Sequence, residues 1–149
     1  MKKSFFHLVF LVQTDTTIGL LSKDTHRLSK IKQRDKKKPF LKSVSSFKTL
    51  KDETRVPVKF KKFIRRKKKT TFIYPNKKAI RVVQNISHQK FLQKFGWFYS
   101  TSANKSGENF DFNYIKDKVD IIVFNQFGFL DKTSSALYAL NKEYIRRKR

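Results

Sequence analysis

The sequence has 149 residues, with 36 Lys or Arg and 11 Asp or Glu, which gives a formal net charge of +25. It has no cysteine, which excludes a disulfide framework, a Cys-ligated zinc site and a thiol nucleophile. Three histidines and few, scattered acids argue against a multi-His metal centre and against a carboxylate acid–base pair. The 38% hydrophobic content suffices for a small core, and we predict a single domain over residues 1–149.

Two readings of the charge remain open at this stage. Phe, Tyr, Met, Ile, Asn and Lys number 66, whereas Gly, Ala, Arg and Pro number 20, as an AT-rich genome would produce. The same excess of lysine would also attract a nucleic acid.

No run approaches the ~20 apolar residues of a membrane span. The apolar run after Met1-Lys2-Lys3 is short and lacks a small-x-small cleavage site. We therefore expect a protein without membrane contact in the cytoplasm.

The first half of the chain alternates strand and helix signals. Phe5 to Val12 reads as a buried strand, and residues 14–19 as a polar loop that leaves it. Asp24 is a predicted N-cap for a short helix, followed by a strand over residues 40–44. A helix behind a Ser cap at residues 45–50 and helical spacing over residues 56–64 complete this half.

The second half continues the alternation. Strands are predicted at residues 70–74 and 79–83, then a helix from a Ser87 cap to Phe95, which Gly96 ends. Further strands cover residues 97–101 and 119–124, with a helix from Asp111 to about residue 118 between them. A terminal hairpin is predicted from residues 135–140 and 144–145, so the expected fold class is α/β or α+β.

Polar segments at strand ends are where ligands bind in open α/β sheets. Three segments fit this position, at residues 14–19, 32–34 and 100–107. Lys32 with Arg34 could clamp a phosphoryl group, oriented by hydroxyl and amide side chains. Taken alone, residues 102–104 could equally be a turn or a helix cap. Arg81 lies in an apolar strand, so it either faces an anion or reaches solvent from an edge strand.

Six segments in order resemble the YrdC-like family of threonylcarbamoyl-AMP synthases, over about Leu8 to Arg146. The most specific is STSANKSGE (residues 100–108), which is similar to the family's Ser-x-Ser-Ala-Asn-x-Ser-Gly stretch. QTDTTIGL (13–20) and KIKQRDKKKPF (30–40) resemble its opening and Lys-x-Arg segments. KKTTFIY (68–74), KAIRVV (78–83) and TSSALYALNKEYIRR (133–147) resemble two later strands and the closing segment.

The resemblance implies a twisted, open, mixed β-sheet flanked by helices, with a concave basic cavity. It implies L-threonylcarbamoyladenylate synthase activity, in which L-threonine, bicarbonate and ATP give threonylcarbamoyl-AMP and pyrophosphate. ATP is a substrate, accompanied by Mg²⁺ without a dedicated protein metal site, and bicarbonate is a co-substrate. A threonylcarbamoyl-transferase complex would pass the group to tRNA beside the anticodon, and direct binding of tRNA is also expected.

The resemblance also places the family's site on particular residues. The catalytic tetrad falls on Lys32, Arg34, Ser102 and Asn104. The residues that would bind L-threonine are Thr14, Arg81, Ser102 and Ser134. Those that would bind ATP are Arg34, Lys38, Thr71, Asn104 and Arg146.

The sequence also departs from the family pattern. Gln13 and Asp35 replace prolines, Ser43 replaces a common histidine, and Lys68-Lys69 replace Gly-Pro ahead of Thr71. The alternative hypothesis is therefore a non-catalytic basic protein of the same fold that binds tRNA or rRNA. A ribosome-associated basic protein is a third reading.

Overall fold

The computed structural model describes residues 4–130 and 132–149. Nine strands and five α-helices alternate along the described chain, which confirms the predicted mixed α/β fold class. The strands are β1 (Phe10–Gln13), β2 (Ile18–Ser22), β3 (Leu41–Val44), β4 (Thr70–Ile73), β5 (Ala79–Val82), β6 (Trp97–Ser102), β7 (Ile121–Val123), β8 (Ala136–Leu140) and β9 (Ile145–Arg147). The helices are α1 (Thr25–Lys32), α2 (Phe47–Glu53), α3 (Lys61–Arg66), α4 (Ile86–Phe95) and α5 (Phe112–Ile115).

The chain divides into two compact units, each built from two separated stretches of sequence. The first unit holds residues 1–40 and 98–133, and the second holds residues 41–97 and 134–149. The single domain predicted over residues 1–149 stays a prediction. None of the described helices is long and apolar enough to span a membrane.

The first unit contains strands in the order β7-β1-β2-β6. β1 is antiparallel to β2 and parallel to β7, and β2 is antiparallel to β6. Leu11, Leu20 and Leu28 are fully buried in its core, so α1 packs against this sheet through its apolar side. Burying each leucine contributes roughly 1.5–3 kcal/mol to folding.

The second unit contains strands in the order β3-β5-β4-β8-β9. β5 runs parallel to β3 and antiparallel to β4, β4 runs parallel to β8, and β8 and β9 form an antiparallel pair. Phe72 and Ile80 face each other across β4 and β5 and belong to its core, together with Leu50 and Ile64 from α2 and α3. The opposite face of these strands carries polar side chains, which belong to the candidate site below.

Local capping chemistry predicts several helix ends correctly. Asp24 accepts hydrogen bonds from the backbone N–H groups of His26 and Arg27, which starts α1 as predicted. Gly96 ends α4 with a φ of 87°, a backbone conformation that glycine adopts without strain. The predicted terminal hairpin is confirmed as β8 and β9.

Three local predictions are wrong in detail. Residues 5–7 form a 3₁₀ turn rather than the start of a strand, because the Ser4 side chain accepts from the Phe6 N–H. Asn85, not Ser87, caps α4. The segment after residue 17, expected to be loop up to Gly19, already belongs to β2, since Ile18 pairs with Gln13 across a tight connection.

Candidate active site

Lys32 lies at the end of α1, where its ammonium group contacts the last residue of β6 and the segment that follows it. Its Nζ donates to the backbone oxygen of Ser102 (2.9 Å), to Ser102 Oγ (3.2 Å) and to Asn104 Oδ1 (2.6 Å). Ser102 Oγ in turn donates to the same Asn104 oxygen at 2.6 Å. Three of the four residues of the predicted tetrad therefore form one hydrogen-bonded cluster, although Lys32 is 70 positions from Ser102 and 72 from Asn104 in the sequence.

Backbone contacts hold both sides of this cluster in place. Gln33 follows Lys32 in the left-handed conformation (φ 50°), which ends α1 and turns the chain. The N–H of Ser106 donates to the carbonyl of Lys32 at 3.0 Å, so the loop after β6 is bonded to the helix end. The side-chain amide of Asn104 donates to the carbonyl of Glu108 in the same loop. The cluster is thus supported by main-chain as well as side-chain hydrogen bonds.

Arg34 follows closely, on the loop after α1. Its Nη2 donates to the carbonyl of Pro39 at 3.1 Å, and its guanidinium carbon lies 5.0 Å from the centre of the Phe40 ring. The side chain is half-buried and its guanidinium group lies over the ring. Lys38 lies on the same loop and is exposed to solvent. The loop therefore places the positioned cation of Arg34 and the exposed cation of Lys38 next to the end of α1.

Burial, and secondly the positive charge of Arg34, lower the pKa of Lys32 to about 8. The side chain is only 4% exposed, so its charge is poorly hydrated in the folded protein. An anionic group bound beside Lys32 and Arg34 would offset both the poor hydration of the Lys32 charge and the repulsion between the two cations. The electrostatics of this cluster therefore favour an anion such as a phosphate.

The lowered pKa of Lys32 predicts how stability depends on pH. Between about pH 8 and 10.5 the unfolded chain binds more protons at Lys32 than the folded chain does, so this residue makes stability rise with pH. We expect the free energy of unfolding of the wild type, minus that of Lys32→Met, to increase across that window in chemical denaturation. A constant difference would contradict the buried charge, and Lys116→Met at an exposed position controls for loss of a lysine.

Thr14 lies in the tight connection between β1 and β2, at the same end of the sheet as Ser102. Its Oγ1 donates to the carbonyl of Thr17 (2.6 Å) and accepts from the N–H of Thr16 (3.1 Å). Its methyl group packs on Gly19, where a Cβ atom would come within 2.5 Å of it. Gly19 pairs with Ser102 across β2 and β6. Because Gly19 has no side chain, Thr14 can lie over β2 at the residue that pairs with Ser102.

A row of buried polar side chains crosses one sheet face of the second unit. Ser43 and Arg81 are paired in register between β3 and β5, and they are 0% and 3% exposed. Thr71 lies on this face, since its neighbour Phe72 pairs with Ile80 on the other. Within the described residues, Ser43 Oγ has no hydrogen-bond partner. Hydroxyls around a buried guanidinium suit a carboxylate or a phosphate oxygen.

The edge-strand interpretation of Arg81 is wrong. β5 lies between β3 and β4, so Arg81 is on an interior strand and cannot reach solvent from a sheet edge. Arg146 pairs with Ala139, whose partner in β4 is Ile73, and therefore shares the sheet face of Arg81. Its side chain is exposed.

Ser135 is a polar residue that the sequence reading did not single out. It is 3% exposed and its Oγ lies 3.0 Å from Thr71 Oγ1, whereas the neighbouring Ser134 is exposed. Two adjacent serines differ in burial because side chains alternate as the chain enters β8. The signal that could have found Ser135 is this alternation, counted back from the apolar residues of the strand.

Metal-binding groups are absent from the described residues, where no three His, Cys, Asp or Glu side chains come together. The donors near Lys32 are hydroxyl, amide and ammonium groups, which suit anionic ligands.

Comparison with known protein families identifies the family of this chain. A family model described as Telomere recombination, for the Sua5, YciO and YrdC proteins, matches residues 8–135. Because the match covers well over half of the sequence, the chain belongs to the Sua5/YciO/YrdC family, and the resemblance noted in the sequence is confirmed. No curated protein sequence matches the chain.

Solved structures share the fold. P. abyssi Sua5 complexed with L-threonine has a TM-score of 0.78 and 17% identity, with 97% of this chain and 51% of that chain covered. E. coli YciO has a TM-score of 0.74 and 17% identity, with 95% and 82% covered. MTH1692 from Methanobacterium thermoautotrophicum has a TM-score of 0.71 and 22% identity, with 95% and 79% covered. The present chain therefore spans about half the length of the Sua5 structure.

Proposed function

We propose that this chain is an L-threonylcarbamoyladenylate synthase that serves the threonylcarbamoyladenosine modification of tRNA. The observation that carries the proposal is the hydrogen-bonded cluster of Lys32, Ser102 and Asn104. Family membership and the threonine complex of P. abyssi Sua5 support the choice of substrate.

In the proposed reaction, the amino group of L-threonine and bicarbonate form a carbamate with loss of water. A carbamate oxygen then attacks the α-phosphorus of ATP, and the bond to the β-phosphate oxygen breaks, which releases pyrophosphate. Negative charge accumulates on the phosphates and on the carbamate before this step. Lys32 and Arg34 would offset that charge, which is how preorganised cations lower the barrier of phosphoryl and nucleotidyl transfer.

The other residues orient the substrates in this proposal. Ser102 and Thr14 would contact L-threonine, and Arg81 would pair with its carboxylate. Asn104 would contact the nucleotide. The remaining assignments are Ser134 to L-threonine, and Lys38, Thr71 and Arg146 to ATP, which would bring its own Mg²⁺. Ser135, which is hydrogen-bonded to Thr71, is the alternative to Ser134 as the serine of this segment that contacts L-threonine.

The test is pyrophosphate release by the purified, folded chain. We expect release from ATP only when L-threonine and bicarbonate are both present, and none when either is omitted. Release that ignores L-threonine would contradict the proposal.

A non-catalytic RNA-binding protein of the same fold is the second candidate, favoured by the net charge of +25. It predicts binding of RNA without any threonine-dependent chemistry. The same omission assay separates the two functions, because only the synthase couples ATP cleavage to L-threonine.

A further inference from the structure

The positive charge is distributed very unevenly between the two units. The second unit carries 22 Lys or Arg and three Asp or Glu, a net charge of +19. The first unit carries 14 basic and eight acidic residues, a net charge of +6, although it is slightly the longer of the two. A compositional bias of the genome acts on both units alike. It therefore does not account for the concentration of charge in one of them.

Most of this excess comes from one short segment around α3. Eight of the eleven residues from 59 to 69 are basic, none is acidic, and all eight are exposed. The sequence has no acidic residue between Glu53 and Glu108. We call the eight the α3 basic surface, made of Lys59, Lys61, Lys62, Arg65, Arg66, Lys67, Lys68 and Lys69.

The C-terminal strand extends this surface. Lys67 Nζ lies 5.1 Å from the centre of the Phe63 ring and 5.9 Å from that of Tyr138. Tyr138 pairs with Arg147 across β8 and β9, so Arg147 is on the same sheet face. Lys59 Nζ donates to the carbonyl of Glu143 in the turn before β9 (2.8 Å). Two stretches of sequence about 70 positions apart thus build one basic surface.

The folded chain does not neutralise this surface. None of the eight side chains forms an ion pair with a described carboxylate. Like charges packed this closely repel one another and oppose folding. A ligand with regularly repeated negative charges would relieve the repulsion and release counterions on binding.

An anionic membrane is disfavoured as that ligand by the burial of the apolar side chains. Phe60 and Ile64 are 8% and 3% exposed, and the core holds them. Of the described large apolar residues, Val58 and Tyr144 are exposed next to this surface, and neither belongs to α3. A helix that lies on a membrane inserts an exposed apolar face, which α3 does not offer.

We propose that the α3 basic surface, extended by Arg147, binds the phosphate backbone of folded RNA. The choice of RNA over other polyanions rests on the proposed role in tRNA modification. The contacts would be to phosphates rather than to bases, because Lys and Arg at exposed positions bind the backbone without reading sequence. The cluster around Lys32 belongs to the other unit.

The test compares two triple variants that lower the net charge of +25 by the same amount. One is Lys62→Gln, Arg66→Gln and Lys68→Gln in the α3 basic surface. The other is Lys116→Gln, Lys118→Gln and Lys132→Gln in the first unit, all exposed. Circular dichroism establishes that both remain folded. Binding to an unmodified tRNA transcript is measured without ATP or L-threonine at several salt concentrations.

We expect the first variant to bind the transcript at least about tenfold more weakly near 0.15 M salt, with a log–log salt slope smaller by roughly 2–3, the value for three lost phosphate contacts. The second variant should stay within about twofold of wild type, since its charges lie outside the surface. Equal weakening by both triples would overturn the proposal, because it would indicate a general charge effect.

A vesicle control separates the two classes of polyanion. Phosphatidylcholine vesicles containing phosphatidylglycerol are titrated with the same three proteins. An effect of the first triple on vesicle binding but not on transcript binding would also overturn the proposal. Because neither binding measurement involves ATP chemistry, failure of the synthase assay leaves this test intact, and the reverse holds too.

Discussion

We expect Lys32→Ala and Arg34→Ala each to lower the turnover of the proposed threonylcarbamoyl-AMP synthesis by at least about 100-fold, the usual scale for losing a preorganised charge contact. Lys32 is the stronger case, because its ammonium group bonds to both Ser102 and Asn104. Removing it deletes a positive charge and also leaves Asn104 Oδ1 with one donor fewer. The measurement is steady-state pyrophosphate release with saturating ATP, L-threonine and bicarbonate.

Two controls keep this result interpretable. Lys32 is buried, so Lys32→Met, which keeps the length of the apolar stem, shows whether lost turnover reflects lost charge or lost packing. Lys116→Ala, at an exposed position, controls for a simple loss of one charge. Near-normal turnover in both Lys32→Ala and Arg34→Ala would remove this cluster from the reaction.

The second large effect is expected at Gly19. An alanine there would put its Cβ 2.5 Å from the methyl carbon of Thr14, while the next nearest atoms are 3.7 Å away. We expect Gly19→Ala to lower the free energy of unfolding by about 1–3 kcal/mol, the usual cost of overpacking a filled site. Urea denaturation of the purified protein measures this change.

A double variant isolates the cause. Thr14→Ser removes the methyl group but keeps the hydroxyl, which bonds to Thr17 and Thr16. In the Gly19→Ala background this change should restore most of the lost stability, a positive coupling in a double-mutant cycle. If Thr14→Ser restores no stability in the Gly19→Ala background, contact with the Thr14 methyl group is not the reason that position 19 requires glycine.

Local chemistry explains which elements the sequence predicts well. Asp24 caps α1 because its carboxylate reaches N–H groups two and three residues ahead, a contact that needs no information from elsewhere in the chain. The sequence does not predict the 3₁₀ turn at residues 5–7, because the long apolar run indicates a strand and outweighs the single capping residue Ser4. Phe5, expected inside a buried strand, is 63% exposed.

The candidate site depends on contacts that spacing alone does not give. Lys32 meets Asn104 across 72 positions of sequence, and only the ordered resemblance to the family links the two. The burial of Arg81 follows from the place of β5 between two other strands, which the alternation of apolar residues leaves undecided. Ser134 and Ser135 differ in burial because successive side chains of a strand point to opposite faces. An error of one residue in the predicted alternation therefore exchanges the two serines.

The distribution of charge also depends on contacts that the sequence alone does not give. Its total of +25 is visible in the composition, whereas its concentration in the second unit needs the chain contacts that define the units. A general excess of lysine would be spread over both units, whereas a charged surface concentrates the excess in one of them.

In the proposed reaction, the chain joins L-threonine, the carbon of bicarbonate and AMP in one product. The most direct measurement is mass spectrometry of the reaction with ¹³C-labelled bicarbonate. We predict an AMP adduct that carries both the labelled carbon and threonine, and that disappears when L-threonine is omitted or Lys32 is changed to alanine. A folded wild-type chain that binds ATP yet yields no labelled adduct would contradict the proposed synthase activity.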